Sequence, residues 1–127
     1  MLEAPKHLLA RDYELLRDFD IPELEGLVKG FEQSHRDLSN QYLATLEELN
    51  RIDRVLMELE RLDLGRMDEV RLLVVTKKMD ELRRERKPVY ERLKEIARRH
   101  EELVLDYVNR RRSIYERIRY HFDRFAG

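Results

Sequence analysis

The feature that most constrains this chain is a long hydrophobic stripe that begins at Ile21 and ends near Leu62. When a heptad is numbered with its first position, a, at Val28, ten of the twelve a and d positions are apolar. These positions carry, in order, Ile21, Leu24, Val28, Phe31, His35, Leu38, Tyr42, Thr45, Leu49, Ile52, Leu56 and Leu59. Alternating spacings of three and four residues place them on one side of a helix. The stripe therefore predicts a single helix of roughly 60 Å.

A second stripe with the same spacing extends from Leu72 to Tyr107, and Gly65 lies between the two stripes. Gly65 is suited to the left-handed backbone conformation that commonly follows a helix, and Asp68 is suited to the start of the next helix. We therefore predict that the second helix folds back on the first at Gly65.

The predicted register follows from placing the turn at Gly65. In antiparallel coiled coils an a layer faces a d layer, so each residue of the first helix has a defined partner on the second. The predicted layers include Leu59 with Leu72, Thr45 with Arg86, Phe31 with His100 and Leu24 with Tyr107.

The composition is typical of a protein made of long helices. Charged residues make up 42% of the 127 residues, and the chain contains 4 Gly and 3 Pro. We predict an all-α fold: a long antiparallel coiled-coil helical hairpin with a short N-terminal helix packed on its open end, dimerising into a helical bundle. The predicted single domain is 1–127, with a short helix at 6–19, a first long arm at 21–63 and a second long arm at 67–125.

Two prolines bear on these boundaries. Pro22 has no backbone N–H and fits only the first turn of a helix, so a new helix is expected to begin there. No good capping residue precedes Pro88, and the apolar stripe keeps its register across it. We therefore predict a continuous helix kinked near Pro88. A helix boundary at Lys87 is the alternative.

The sequence lacks the features of secreted and membrane-spanning proteins. It contains no cysteine, which excludes a disulfide framework and a thiolate metal site. The N-terminus does not read as a secretory signal, and no apolar run approaches the length of a membrane span. We expect a cytoplasmic protein without membrane insertion.

Apolar residues outside the two stripes indicate partner proteins. A two-helix hairpin covers few of them, and wide apolar helix faces usually bind a partner. We predict a homodimer; a monomeric three-helix protein is the alternative. Near the turn, Val70, Leu73 and Val74 belong to a run that is apolar around most of the helix. We predict that this hairpin tip binds a partner or forms the dimer contact, with burial in the core as the alternative.

Two histidines of the seam are candidates for chemistry. Glu32 and His35 form a Glu-x-x-His on a helix, which is half of the motif of di-metal sites in helical bundles. The facing stripe near His100 has no core glutamate, so we expect no metal and no cofactor. His35 and His100 are predicted to lie in the seam, where their titration near pH 6.5 would make the bundle pH-sensitive.

Thr45 and Arg86 are predicted to form a polar layer in the seam. Such layers often set register and oligomeric state at a cost in stability. A buried cation can also bind a carboxylate substrate, so a small helical-bundle enzyme or ligand binder is an alternative function. The several convergent cations of such a pocket are missing, and we expect no enzyme and no catalytic residue.

A basic C-terminal end begins at Arg110, Arg111 and Arg112 and continues with interleaved aromatic residues. This pattern could bind nucleic acid or an acidic partner. Acidic residues interrupt it and the formal net charge is −1, so we do not expect nucleic-acid binding. We favour pairing with the acidic N-terminal helix, whose carboxylates are Asp12, Glu14, Asp18 and Asp20.

Two stretches resemble known binding modules. Leu46–Lys78, a hairpin with an apolar insert near its turn, is similar to a prefoldin-type holdase subunit, although the insert is too short for that family's β-hairpin. The acidic turn with Asp63, Asp68 and Glu69 resembles the finger of transcript-cleavage factors that enter RNA polymerase, without their globular domain. We predict a non-enzymatic coiled-coil module for protein–protein interaction, a scaffold, adaptor or assembly chaperone that acts through its apolar tip and bundle faces.

Overall fold

The computed structural model describes residues 2–126 of the chain, and the side chains of residues 2–121. Met1 and Gly127, the ends of the predicted domain, lie outside the described residues. The described part of the chain contains no strand, which confirms the all-α prediction. Its helices are α1 (Lys6–Asp18), α2 (Pro22–Glu60) and α3 (Glu69–Ala126).

The boundary between α1 and α2 lies where the sequence predicts it. α1 ends at Asp18 because Phe19 adopts an extended backbone conformation, with φ −136° and ψ 145°. Pro22 opens α2, where its missing N–H removes no helical hydrogen bond. Glu23 and Glu25 in the first turn complement the positive end of the helix dipole.

The connection between α2 and α3 differs from the predicted glycine turn. α2 ends at Glu60, and a short 3₁₀ turn follows at Leu64–Arg66. It is closed by a hydrogen bond from the N–H of Arg66 to the carbonyl of Asp63, at 3.2 Å. No described glycine has a positive φ, so the predicted left-handed conformation of Gly65 is wrong. The reversal is spread over a longer connection, in which no residue needs that conformation.

α3 begins with a capped first turn. Asp68 Oδ1 accepts a hydrogen bond from the backbone N–H of Arg71 at 2.8 Å, as expected for an aspartate at this position. The helix then continues without interruption through Pro88. The alternative of a helix boundary at Lys87 is therefore wrong, whereas the kink stays a prediction.

Contacts group the described residues into two compact units, and α2 and α3 contribute to both. The two-helix unit is the continuous segment Gln41–Ile96. The three-helix unit contains the described residues up to Asn40, which include α1, together with those from Ala97 onward. Each unit has its own hydrophobic core.

In the three-helix unit, the predicted short N-terminal helix packs on segments of α2 and α3. The buried core consists of Leu24, Val28, Phe31, Tyr107 and Ile114. Four partly buried leucines of α1 pack against it: Leu8, Leu9, Leu15 and Leu16. Their spacings place these leucines on one side of α1, so a single face of that helix covers the core.

In the two-helix unit, α2 and α3 pack antiparallel around a smaller core. Its buried residues are Leu49, Ile52, Leu56, Met79, Leu82 and Val89. Arg86 Nε pairs with Asp53 at 2.6 Å, and Arg92 pairs with Glu48 at 3.2 Å. Arg92 lies after Arg86 on α3, whereas its partner Glu48 lies before Asp53 on α2, so the two helices are antiparallel.

The register of the two helices differs from the predicted one. Although the sequence predicts Phe31 opposite His100, the histidine is hydrogen-bonded to His35, and Phe31 stacks on Tyr107 at 4.6 Å between ring centroids. The observed partner of His100 lies one helical turn along α2 from the predicted one, and the observed partner of Phe31 lies two turns along α3 from the predicted one. The prediction assumed that the chain reverses symmetrically about Gly65, whereas these pairs match α2 residues with α3 residues further along the chain than that symmetry allows.

Candidate protein-docking surface

Three exposed side chains of α3 form an apolar surface in the two-helix unit, which we call the apolar tip: Val70, Leu73 and Val74. They are 73%, 70% and 62% exposed. Their spacings of three and four residues place them on one side of the helix. Val75 and Met79 project from the other side and pack in the core. The tip residues are therefore surface residues, not core residues.

The segment that carries the apolar tip is helical although β-branched residues, which favour strands, are frequent in it. The Asp68 cap fixes the first turn. The hydroxyl of Thr76 donates to the carbonyl of Leu72 at 2.7 Å, and Met79 anchors the following turn in the core. The cap and the core thus hold the helix, and the tip side chains are not needed for its packing.

Charges of opposite sign flank the apolar tip. Asp68 and Glu69 precede it, and Lys77 and Lys78 follow it along α3. All four side chains are exposed. The tip therefore has an acidic end and a basic end, with the three apolar side chains between them and the exposed Arg71 at its side.

The structure does not pair Thr45 with Arg86. Thr45 is buried, and its hydroxyl donates to the carbonyl of Gln41 at 2.8 Å, so its hydrogen-bonding need is met within α2. Arg86 donates to Asp53, two turns further along α2, and its guanidinium lies 5.3 Å from the centroid of the Tyr90 ring. The hydrogen bond to Asp53 raises the pKa of Arg86. Arg86 thus takes part in a half-exposed ion pair and not in a buried polar layer.

His35 and His100 contact each other directly. Nδ1 of His35 lies 2.9 Å from Nε2 of His100, and the ring centroids are 5.0 Å apart. Phe31 stacks on the His35 ring. Burial of His100 lowers its pKa, and the neighbouring His35 charge lowers it further. The sequence predicts that both histidines lie in the seam. The predicted register places His100 opposite Phe31, so it does not predict their pairing.

The Glu-x-x-His half-motif is occupied by contacts within the protein. Glu32 accepts a hydrogen bond from the hydroxyl of Tyr13, which raises the pKa of Tyr13 to about 12. His35 is bound to His100. Among the described residues, no group of three or more His, Asp or Glu side chains is arranged to hold a metal ion.

Several arginines of the basic C-terminal end are ion-paired. Arg110 pairs with Asp106 on its own helix, and Arg117 pairs with Glu23 of α2. Arg111 pairs with Asp12 of α1 at 2.9 Å. Arg112 is exposed.

The sequence predictions do not anticipate a buried carboxylate cluster around Asp12. Asp12 is fully buried and accepts hydrogen bonds from Arg111 Nε at 2.9 Å, from the Tyr115 hydroxyl at 2.5 Å and from the Tyr107 hydroxyl. Burial and this hydrogen bond raise the pKa of Tyr115 to about 12, and the same causes raise that of Tyr107. One sequence signal was available, because Asp12 falls between Leu8 and Leu15 on the apolar face of α1.

The Asp12 cluster binds α1 to α3 and leaves no free group for chemistry. Its carboxylate oxygens are already shared among three donors, and no buried side-chain polar atom of the described residues lacks a hydrogen-bond partner. We therefore assign it a structural role, and the apolar tip is the stronger candidate for function.

Comparison of this chain with models of protein families, with curated proteins and with solved structures finds no match. Within the described residues, no helix combines the length and apolar character needed to cross a bilayer.

Proposed function

We propose that this protein is a non-enzymatic interaction module that docks another polypeptide chain on its apolar tip, as a scaffold, adaptor or assembly chaperone. The observation that carries this proposal is the exposure of Val70, Leu73 and Val74 side by side on an ordered helix. Burying such a cluster removes apolar surface from water, at about 25 cal/mol for each Å². Contiguous exposed apolar side chains commonly mark binding surfaces.

Several apolar residues that flank the two long stripes are less exposed than the tip residues. Leu27 and Val104 pack against the core of the three-helix unit, and Val55 packs against that of the two-helix unit. Leu62 and Tyr90 are 42% and 41% exposed, which is well below the exposure of the tip residues. Leu105 is as exposed as Val74, but Val70, Leu73 and Val74 follow each other at helical spacing, so we base the proposal on the tip.

The two alternative functions receive less support from the contacts. Arg86 is engaged by Asp53, so a carboxylate substrate would have to displace an existing ion pair. Arg111 is engaged by the buried Asp12, so a phosphate would have to break the contact that holds α1.

The proposal is tested with the double variant Leu73→Asp/Val74→Asp. Proteins captured by the immobilised wild-type chain are identified and purified, and their binding to both chains is then measured by calorimetry. We expect the double variant to bind at least about tenfold more weakly, because two charges would be buried in the complex. Its helicity, measured by circular dichroism, should equal that of the wild type because both residues face solvent.

Leu105→Asp is the matched control, since Leu105 is 62% exposed on α3 but belongs to the three-helix unit. This control should bind as the wild type does. A purified partner that binds all three chains equally would refute docking on the tip.

A further inference from the structure

We propose that the polypeptide that covers the apolar tip is a second copy of the same tip, packed antiparallel about a two-fold axis near Leu73. This inference rests on the proposed function, because it assigns the occupant of the same surface. Two observations carry it, the order of the charges and the spacing of the outward residues, while the small size of the patch sets the strength of the dimer.

The order of charges along α3 makes the tip complementary to itself. Along the exposed surface of α3, Glu69 precedes the apolar side chains of Val70, Leu73 and Val74, and Lys77 follows them. Arg71 is also exposed, but it lies about 100° around the helix from Val70, at the side of the tip. A two-fold axis reverses the direction of the second helix, because both copies use the same surface. Glu69 of each copy then lies near Lys77 of the other. A parallel arrangement would instead set like charges against each other.

The spacing of the outward residues suits helix-to-helix packing. Val70, Leu73, Val74 and Lys77 follow the pattern i, i+3, i+4, i+7, which produces one continuous stripe on a helix. The two-fold axis would bring Leu73 against its counterpart, with a valine on either side. Valine side chains are short, so the helices can approach to about 8–10 Å.

The small size of the patch predicts a weak dimer. A stable interface buries about 800 Å² on each partner, and three side chains provide much less. We therefore expect the dimer to form in the micromolar range and to dissociate on dilution. The charged ends then decide which orientation is stable.

Sedimentation velocity between about 5 and 500 µM tests this dimer, a range that brackets weak association. The average mass of the wild type should rise toward that of a dimer with concentration. Leu73→Asp/Val74→Asp should remain monomeric over the range. Glu69→Lys and Lys77→Glu should each weaken the dimer about tenfold, because each places like charges at both ends. Circular dichroism should show unchanged helicity, since all four positions are exposed.

Mixing the two single-charge variants tests the antiparallel orientation. In a mixed pair, Lys at position 69 meets Glu at position 77, and Glu69 meets Lys77, so both ends attract again. An equimolar mixture of Glu69→Lys and Lys77→Glu should therefore dimerise as the wild type does. Glu116→Lys and Lys87→Glu make the same charge changes at exposed positions away from the tip and should leave the dimer unaffected.

The inference is overturned if the wild type stays monomeric throughout the range, if the tip double variant still dimerises, or if the mixture stays dissociated. These outcomes leave the proposed function separately testable. A wild-type chain that is monomeric but binds a different purified protein, and loses it in the tip double variant, would refute the second copy and retain docking on the tip.

Discussion

The two compact units use the same two long helices with different results. In the three-helix unit, α1 covers the core, and the carboxylate of Asp12 is completely enclosed. In the two-helix unit only α2 and α3 are present, and Leu73 of α3 is 70% exposed. A pair of helices buries only the stripes that face each other, whereas a third helix encloses the pair on another side.

A polar side chain, Asp12, is buried in the three-helix unit, and an apolar one, Leu73, stays in water in the two-helix unit. Asp12 is buried because three donors on α3 surround it, and α1 excludes water from the cluster. The two-helix unit, Gln41–Ile96, contains no third helix, and the side chains of the apolar tip are exposed.

Replacing the buried carboxylate should have the largest effect. Asp12→Ala leaves the Arg111 guanidinium and two tyrosine hydroxyls without their acceptor inside the three-helix unit. We expect the free energy of unfolding to fall by about 3–5 kcal/mol, measured by urea denaturation followed by circular dichroism. Glu14→Ala, an exposed change on the same helix, should stay within about 0.5 kcal/mol. Equal effects of the two changes would show that the Asp12 cluster does not hold the unit together.

Matched leucine truncations should separate the two cores. Leu24 in the three-helix unit is 0% exposed, and Leu49 in the two-helix unit is 6% exposed. We expect Leu24→Ala to lower the free energy of unfolding by about 4 kcal/mol and Leu49→Ala by about 2.5 kcal/mol, because the more open core admits water to the space left behind. Urea denaturation measures both. A larger loss for Leu49→Ala would reverse the contrast between the units.

Stability should decrease at acidic pH through His100. Its pKa in the folded protein lies below the ordinary value of 6.5, so the unfolded chain binds more protons as the pH falls through that value. The contribution of neutral His100 is therefore complete above about pH 6.5 and is lost below it. The titratable groups around it include His35 on α2 and Glu101 beside it, and Glu3 lines the same surface cleft.

The measurement for His100 is the difference in free energy of unfolding between pH 8 and pH 5.5. The difference should be smaller in His100→Gln than in the wild type, because glutamine does not titrate. An identical difference in both chains would place the pH dependence elsewhere.

The smallest effect is expected at the connection of the two-helix unit. Gly65 has no positive φ, and a Cβ there would lie 3.5 Å from Asp63 Oδ1, which is an ordinary contact. Gly65→Ala should therefore raise the free energy of unfolding by about 0.5 kcal/mol, by restricting the unfolded chain. A loss of about 1 kcal/mol or more, of the size that a left-handed residue would show, would restore the predicted glycine turn.

Periodicity is sufficient to predict the helices of this chain but not the contacts between them. The stripes starting at Ile21 and Leu72 predict α2 and α3. The excess of apolar residues around Leu73 identifies the tip but leaves open whether it is exposed or buried in the core. The register depends on the length and path of the connection, which no hydrophobic pattern encodes. The hydrophobic pattern therefore does not predict the pairing of His35 with His100, although it identifies both as seam residues.

Pairing of the basic C-terminal end with Asp12 is predicted and is confirmed for Arg111, but the burial of Asp12 is missed for a different reason. A carboxylate in a charged helix is ordinarily solvated, and its burial depends on donors that lie far away in the sequence on α3. Only its position among the leucines of α1 distinguishes Asp12 from its acidic neighbours.

In the sequence, the two-helix unit lies between the two parts of the three-helix unit, and this arrangement affects the order in which the units fold. The two-helix unit is one continuous segment, whereas Asp12 and Arg111 of the three-helix unit are 99 residues apart. Closing so long a loop is entropically costly, and prior pairing of α2 with α3 within Gln41–Ile96 shortens the loop that remains. We therefore expect the inner hairpin to nucleate folding and α1 to dock last, once the chain beyond Ala97 has been synthesised.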